Sequence, residues 1–206
     1  MKELKSEGIK RYPSTPEQQK EIEQKEIRNV RYLASKTYDG TSFVVNSNGL
    51  SELTSTDVVT GDNVIIVGHY MLGGNPTANV GTNLEIVFEI VDAENLPQAN
   101  YVLNITAQGK ITSQELVIEV TPSNVIYTPD GIYEIAYTED VFKVVYGYLV
   151  VGDKLAGKIV VEKPDFDGTI DLSTVPVDDL KVLNGSDEDV TGNYEITIQG
   201  ELVVEK

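Results

Sequence analysis

Apolar and polar residues alternate along most of this chain at the two-residue period of a half-buried strand. The pattern is clearest in residues 100–111, where an alternating run ends in a glycine that permits a tight turn. Asn, Gly and Pro separate the successive runs. Together they predict an all-β fold, with strands at 30–35, 42–45, 50–53, 64–70, 84–91, 101–107, 116–120, 132–137, 142–145, 148–151, 158–161, 180–182, 194–198 and 202–204.

The N-terminal segment has a different pattern. Thr15 suits a helix N-cap, Pro16 the first helical position, and Gln18 completes a capping box. These signals predict a helix over 17–28, in which only Ile22 and Ile27 are apolar. Such a polar helix is unstable alone. It is interpreted either as a solvated connector or as an arm that becomes ordered on a partner protein.

The chain also repeats itself. Glycine-containing landmarks recur at an offset of 91 residues, and an Asn-Tyr pair recurs at 93. A period of about 90 residues matches a small β-sandwich domain. We therefore predict an arm at 1–29 and two sandwich modules at 30–112 and 113–206. The short link at 111–115 has no Gly or Pro, which predicts a stiff, elongated pair. The matching landmarks are Asp39-Gly40 with Asp130-Gly131, Gly61-Asp62 with Gly152-Asp153, Gly109 with Gly200, and Asn100-Tyr101 with Asn193-Tyr194.

Composition excludes several classes of protein. The chain has no cysteine, so disulfides and thiolate chemistry are excluded. No apolar run approaches the roughly 20 residues that span a membrane, so membrane insertion is not expected. The first residues lack the apolar core of a signal peptide. The chain is expected either to be made and used without secretory export or to be an excised fragment.

Charge divides the arm from the body. The net charge is −17, with +3 in residues 1–37 and −20 in residues 38–206. An acidic body argues against nucleic-acid binding, which needs clustered positive charge. The opposite charge of the arm favours docking on a partner protein. The candidate docking residues are Arg11, Ile22, Ile27, Arg28 and Arg31.

Candidate chemistry is sparse. The single histidine, His69, lies in a predicted strand and is interpreted as structural, so neither an enzyme nor a cofactor is expected. Asp165, Asp167 and Asp171 form a partial calcium loop that lacks its closing glutamate. An acidic surface loop is the preferred interpretation there, and weak calcium binding is the alternative.

Tyrosines and glycines are the candidate structural residues. Tyr101 and Tyr194 each stand near the start of a late strand, where a tyrosine can bury its ring and tie its hydroxyl to the backbone, as in a tyrosine corner. Gly109 and Gly200 close the same strands. The Tyr38-Asp39-Gly40 turn completes this structural set.

The first module contains five short motifs, in order Ser35 to Thr41, Val59 to Val64, Asn79 to Thr82, Asn100 to Leu103, and Gly109 to Ile111. Together these motifs resemble the YDG/MBG repeats, which are Ig-like β modules found in tandem in large bacterial surface adhesins. The second module resembles them less closely, through Asp130-Gly131 and Asn193-Tyr194. The resemblance implies an Ig-like sandwich with an extracellular spacer or adhesive role and no catalytic residues.

A short chain that starts with its own charged arm departs from the habit of these long exported proteins. We therefore expect a phage virion component, either a decoration or a fibre protein. Its arm would dock on a capsid or tail protein, and its modules would project outward, with host-surface glycans as further ligands. The alternative is a fragment of a bacterial cell-surface adhesin, in which the modules are extracellular spacers.

Overall fold

The computed structural model describes residues 24–92, 100–123, 125–129, 131–162 and 168–204. Most of these residues form β-strands arranged in several sheets, and the only helical elements in the described ranges are short 3₁₀ turns. The prediction of an all-β fold is confirmed. Among these described residues, none belongs to a helix long and apolar enough to cross a membrane.

Residues 24–112, which we call the first half, contain nine strands. They are β1 (Lys25–Ile27), β2 (Val30–Arg31), β3 (Ser35–Thr37), β4 (Thr54–Ser55), β5 (Ile65–Leu72), β6 (Asn75–Pro76), β7 (Gly81–Asp92), β8 (Tyr101–Leu103) and β9 (Ala107–Thr112).

Residues 114–204, the second half, contain the remaining strands and two 3₁₀ turns, Leu172–Thr174 and Thr191–Asn193. The strands are β10 (Gln114–Val120), β11 (Val125–Tyr127), β12 (Ile132–Ala136), β13 (Phe142–Gly147), β14 (Lys154–Glu162), β15 (Gly168–Asp171), β16 (Leu180–Leu183), β17 (Tyr194–Gln199) and β18 (Glu201–Val204).

The two halves share a pattern of strand pairing. Within the described ranges, every paired strand has its partner in the same half. The parallel pair β1–β8 recurs as β10–β17, with Lys25 opposite Tyr101 and Gln114 opposite Tyr194. The antiparallel pair β5–β7 recurs as β14–β16, and the antiparallel pair β7–β9 recurs as β15–β18. The strands β15 and β16 together therefore take the place of the long strand β7. The sequence repeat is therefore also a repeat of pairing.

The halves also differ. In the first half, β3 runs parallel to β9 at the edge of a five-stranded sheet ordered β3-β9-β7-β5-β6. In the second half, the corresponding strand β11 pairs instead with β12, in a sheet ordered β11-β12-β14-β16. The edge strand β11 is thus held by a different neighbour from its counterpart β3.

Alternating burial explains the strands. In β10, the side chains of Leu116, Ile118 and Val120 are buried, whereas Glu115 and Glu119 are exposed. Burying each such aliphatic side chain stabilises the fold by roughly 1.5–3 kcal/mol. The same period-two burial recurs in β9 and β17.

The predicted helix over 17–28 is wrong where the structure describes it. Lys25–Ile27 is the strand β1, and Ile27 is fully buried in the core of the first half. Pairing with β8 and burial of Ile27 outweigh the helix-forming tendency of a Lys-Glu-Ile sequence. Ile27 is therefore a core residue, and the prediction that it docks on a partner is wrong. Residues 17–23, including Ile22, lie outside the described residues.

The link between the halves is a single residue. β9 ends at Thr112 and β10 begins at Gln114, so only Ser113 lies between two strands of different halves. The Tyr38 amide donates a 2.8 Å hydrogen bond to the Thr112 carbonyl. The turn that follows β3 is thereby held next to the link.

Candidate functional site: the joint between the halves

Each half contains a buried tyrosine whose hydroxyl makes the same pair of hydrogen bonds to a turn. Tyr101 and Tyr194 are both buried at the start of their strands. The Tyr101 hydroxyl accepts a 3.1 Å hydrogen bond from the Val59 amide and donates to the Asp62 carboxylate. The Tyr194 hydroxyl accepts from the Val150 amide at 2.9 Å and donates to Asp153 at 2.6 Å. Both hydroxyls are tied to backbone, in the manner of a tyrosine corner.

The hydroxyl of each tyrosine binds a tight turn. The Asp62 amide donates to the Val59 carbonyl at 3.0 Å, and the Asp153 amide donates to the Val150 carbonyl at 2.8 Å. The intervening Gly61 and Gly152 have φ angles of 100° and 96°, a conformation that glycine adopts without strain. The predicted strand 148–151 is wrong because Val150 already belongs to this turn.

The environment keeps both phenols protonated. Burial raises the pKa of the Tyr194 hydroxyl, and the hydrogen bond to the Asp153 carboxylate raises it further. Burial likewise raises the pKa of Tyr101, with the Asp62 carboxylate as the next cause. A protonated phenol can donate a hydrogen bond to a carboxylate, as each of these tyrosines does.

In the second half, a side chain from the first half also packs against the buried tyrosine. The Tyr38 ring packs edge-on against the Tyr194 ring, with a centroid separation of 5.4 Å and an interplanar angle of 75°. The Tyr38 hydroxyl donates to the same Asp153 oxygen at 3.2 Å. Asp153 therefore accepts hydrogen bonds from one phenol of each half. Edge-to-face aromatic pairs add about 0.5–1.5 kcal/mol beyond their buried area.

A second set of hydrogen bonds crosses the joint through Asn193. Its side-chain oxygen accepts from the Val80 amide at 2.9 Å, and its side-chain nitrogen donates to the Asn79 side chain at 2.9 Å. Asn193 is buried, so these partners satisfy polar atoms that water does not reach. They fix Asn79 and Val80 of the first half against the Asn-Tyr pair of the second.

Gly40 completes the contact because it has no side chain. A Cβ atom added to Gly40 would lie 2.7 Å from the Val150 Cγ1 atom, closer than real contacts allow. The residue also has a φ of +78°. Gly40 thus allows the backbone of the Tyr38-Asp39-Gly40 turn to cover Val150.

Lys36 and Asp39 hold that turn in shape. The buried Lys36 ammonium donates to Asp39 Oδ1 at 2.6 Å and to the Thr41 carbonyl at 2.7 Å. The same Asp39 oxygen accepts from the Thr41 amide at 2.9 Å. Burial lowers the pKa of Lys36, and the hydrogen bond to Asp39 opposes that change. Asp39, which was predicted to be a structural residue, thus belongs to a hydrogen-bond network that shapes the turn.

A groove of about 590 Å³ runs beside the joint. Its walls carry carboxylates, amides and hydroxyls, including Asp39, Asn79, Asp153, Asn184 and Ser186. Within the described ranges, His, Cys, Asp and Glu side chains form no cluster of three or more that could hold a metal ion.

The single histidine lies elsewhere, on the five-stranded sheet. Its Nδ1 atom is 2.9 Å from the Ser42 hydroxyl, and its Nε2 atom is 3.6 Å from a Glu89 oxygen. Phe43 packs against the imidazole at 4.6 Å. We interpret the set as a contact between neighbouring strands.

The remaining predicted site residues are scattered. The exposed Arg28 side chain pairs with Glu26, and Arg31 is exposed in β2. Asp171 caps a 3₁₀ turn by accepting from the Ser173 amide at 2.9 Å. A Cβ on Gly109 would lie 2.4 Å from the Ala34 carbonyl oxygen, and one on Gly200 would lie 2.2 Å from that of Val120. Arg11, Asp165 and Asp167 lie outside the described residues.

The sequence alone did not predict a role for the residues that bind the tyrosine hydroxyls or the Asn193 amide. Asp62 and Asp153 entered only as landmarks of the repeat, and Asn79 only as part of a motif. A usable signal was present, because Val-x-Gly-Asp and Asn-Tyr recur together in both halves. A turn and a tyrosine that are retained as a set indicate that the two touch.

Comparison of the chain with family models, with curated proteins and with solved structures finds no match.

Proposed function

We propose that this chain is a non-catalytic structural protein made of two Ig-like β-sandwich repeats that act as one rigid unit. The observation that carries the proposal is the joint. A one-residue link, a shared carboxylate and the Asn193 contacts tie residues 38–40 and 79–80 to the second half. A protein that only tethers two independent domains has no need of such a joint, whereas a spacer must hold its length and orientation.

As the setting, we propose a phage virion, in which the repeats project from the particle as decoration or fibre and host-surface glycans serve as ligands. Docking on a capsid or tail protein would then involve residues before position 24, including Arg11 and Ile22, together with the exposed Arg28 and Arg31. In the alternative setting, the same rigid pair is a spacer of a bacterial cell-surface adhesin. The excess of acidic residues, which repels neighbouring copies, suits dense display in either setting.

Rigidity can be tested with spin labels. The chain has no native cysteine, so one label at exposed Leu50 and one at exposed Val203 report the distance between the halves. The proposal expects a single narrow distance distribution. The matched variant Tyr38→Ala should broaden it, and a broad distribution in the unmodified chain would contradict a rigid unit.

The setting can be tested by deleting residues 1–23 in the native source. A virion protein should then be lost from purified particles, which mass spectrometry of the particles measures. The purified shortened chain should keep the unfolding midpoint of the full chain. Recovery of the protein from cell surfaces, within a longer polypeptide, would support the adhesin setting instead.

A further inference from the structure

The surface that receives the Tyr38 turn exists twice in this chain. In the second half it consists of Val150, Asp153, Asn193 and Tyr194, and we call it the covered socket. The same four residue types recur in the first half as Val59, Asp62, Asn100 and Tyr101, which we call the open socket. The tyrosine, aspartate and valine make the same hydrogen bonds in both.

The sockets differ in what covers them. Val150 is 9% exposed because Gly40 lies on it, whereas Val59 is 47% exposed. Asn193 is buried by its bonds to Asn79 and Val80, whereas the equivalent Asn100 is only half-buried. The open socket therefore presents an apolar side chain, an amide and a carboxylate in the arrangement that the covered socket uses to hold a Tyr-Asp-Gly turn.

From this pairing we propose that the open socket is a docking site for a Tyr-Asp-Gly turn carried by another repeat of the same type. The proposal extends the proposed function, since it makes the rigid pair one part of a longer stack. The contacts follow those of the covered socket where the first half leaves them accessible. The Tyr101 ring is itself buried, so an incoming tyrosine would contribute its hydroxyl, as a donor to Asp62, and its glycine would cover the exposed Val59.

A second copy of this chain is not a suitable occupant. Its Tyr38 turn is already engaged by its own Asp153 and Tyr194. The corresponding turn of its second half has Pro129 in place of the tyrosine, so it offers neither the ring nor the hydroxyl. The occupant is therefore another repeat with a free Tyr-Asp-Gly turn, and the second half, which has Pro129 at that position, cannot extend the stack through this contact.

The test uses thiol labelling in this cysteine-free chain. In one variant Val59→Cys marks the open socket, and in a matched variant Val150→Cys marks the covered one. A longer chain is then made in which residues 25–113 occur twice in succession, so that a Tyr38 turn precedes the native first half through the native one-residue link. The measured quantity is the rate of maleimide labelling at each cysteine.

We expect Cys labelling at position 59 of the second copy to slow by about tenfold or more on addition of the preceding repeat, since a covered thiol reacts only through local opening. Replacing the preceding copy's tyrosine through Tyr38→Ala, which keeps the backbone amide that bonds to Thr112, should restore the fast rate. Protection that survives Tyr38→Ala would overturn the assignment to the tyrosine turn.

The Val150→Cys variant separates the two proposals. If position 150 stays protected while position 59 stays fast in the longer chain, the open socket is not a docking site and the rigid pair stands. If position 150 is labelled fast in the ordinary chain, the joint itself fails, and the docking proposal fails with it.

Discussion

Tyr101 and Tyr194 occupy equivalent positions and carry the same hydrogen bonds, but among the described residues only Tyr194 has a second tyrosine against its ring. The common part, a ring bonded to a Val-x-Gly-Asp turn, lies within each half. The additional part, Tyr38 with Gly40 and Asn79, joins the halves. A tyrosine and aspartate that are bonded to each other within one half thus also provide the surface on which Tyr38 of the other half packs.

The largest expected effect comes from truncating each tyrosine. Tyr101→Ala and Tyr194→Ala should each lower the free energy of unfolding by about 3–5 kcal/mol, because each removes a buried ring. Only Tyr194→Ala should also free the joint. Urea unfolding measures the first effect and hydrogen exchange at the Val80 amide measures the second. Equal exchange at Val80 in both variants would contradict the division of roles.

Gly40→Ala tests the close approach at the joint, and Gly49→Ala is its matched control. Both glycines have a φ of +78°, but a Cβ on Gly49 has no neighbour within 4 Å. Both variants should lose about 1–2 kcal/mol from backbone strain. Gly40→Ala should lose a further 1–3 kcal/mol or so through overpacking against Val150. In a double variant, Val150→Ala should recover part of that further loss, and equal losses in the two single variants would rule out the contact.

Asn193→Ala removes the acceptor of the Val80 amide and should cost about 1–3 kcal/mol, since it leaves a partly buried donor unpaired. The equivalent change Asn100→Ala, in the open socket, should cost less than half of that. Thermal unfolding of the two variants gives the comparison. If the cost of the two changes is the same, Asn193 does not contribute through the joint.

The smallest expected effect is a dependence on alkaline pH. Tyr70 and Tyr194 have folded-state pKa values above the ordinary value of 10.0, and that of Tyr70 is raised to about 12, with burial as the first cause in each. A raised pKa favours the protonated form in the folded state. Its stabilisation is therefore complete below pH 10 or so and is lost as pH rises toward the folded value. Tyr194→Phe should flatten this loss between pH 10 and about 12, as measured by unfolding at each pH.

The strands and the repeat could be predicted from the sequence because both depend on local pattern. Alternation places Leu116, Ile118 and Val120 on one face, and equal offsets align Gly61-Asp62 with Gly152-Asp153. The helix prediction failed at Lys25–Ile27 because pairing with a strand some 75 residues away decides that segment. No local propensity carries such information.

The joint could be predicted only in part. Tyr38, Gly40 and Tyr194 stand out by composition and spacing, but the approach of Tyr38 to Asp153 spans 115 residues of sequence. The partners of Asn193 depend on how the one-residue link turns the second half against the first. A sequence pattern specifies which residues face inward within a sheet, and it does not specify how one sheet meets the next.

The single-residue link at Ser113 has a consequence for unfolding. In a row of repeats, the energy of contact between neighbours decides whether they melt one at a time or together. Here the last strand of one half and the first strand of the next are separated by one residue, so we expect unfolding of β9 to disturb β10. When the protein is stretched from its two ends, both halves should unfold in one step, whereas two flexibly tethered domains would unfold one after the other.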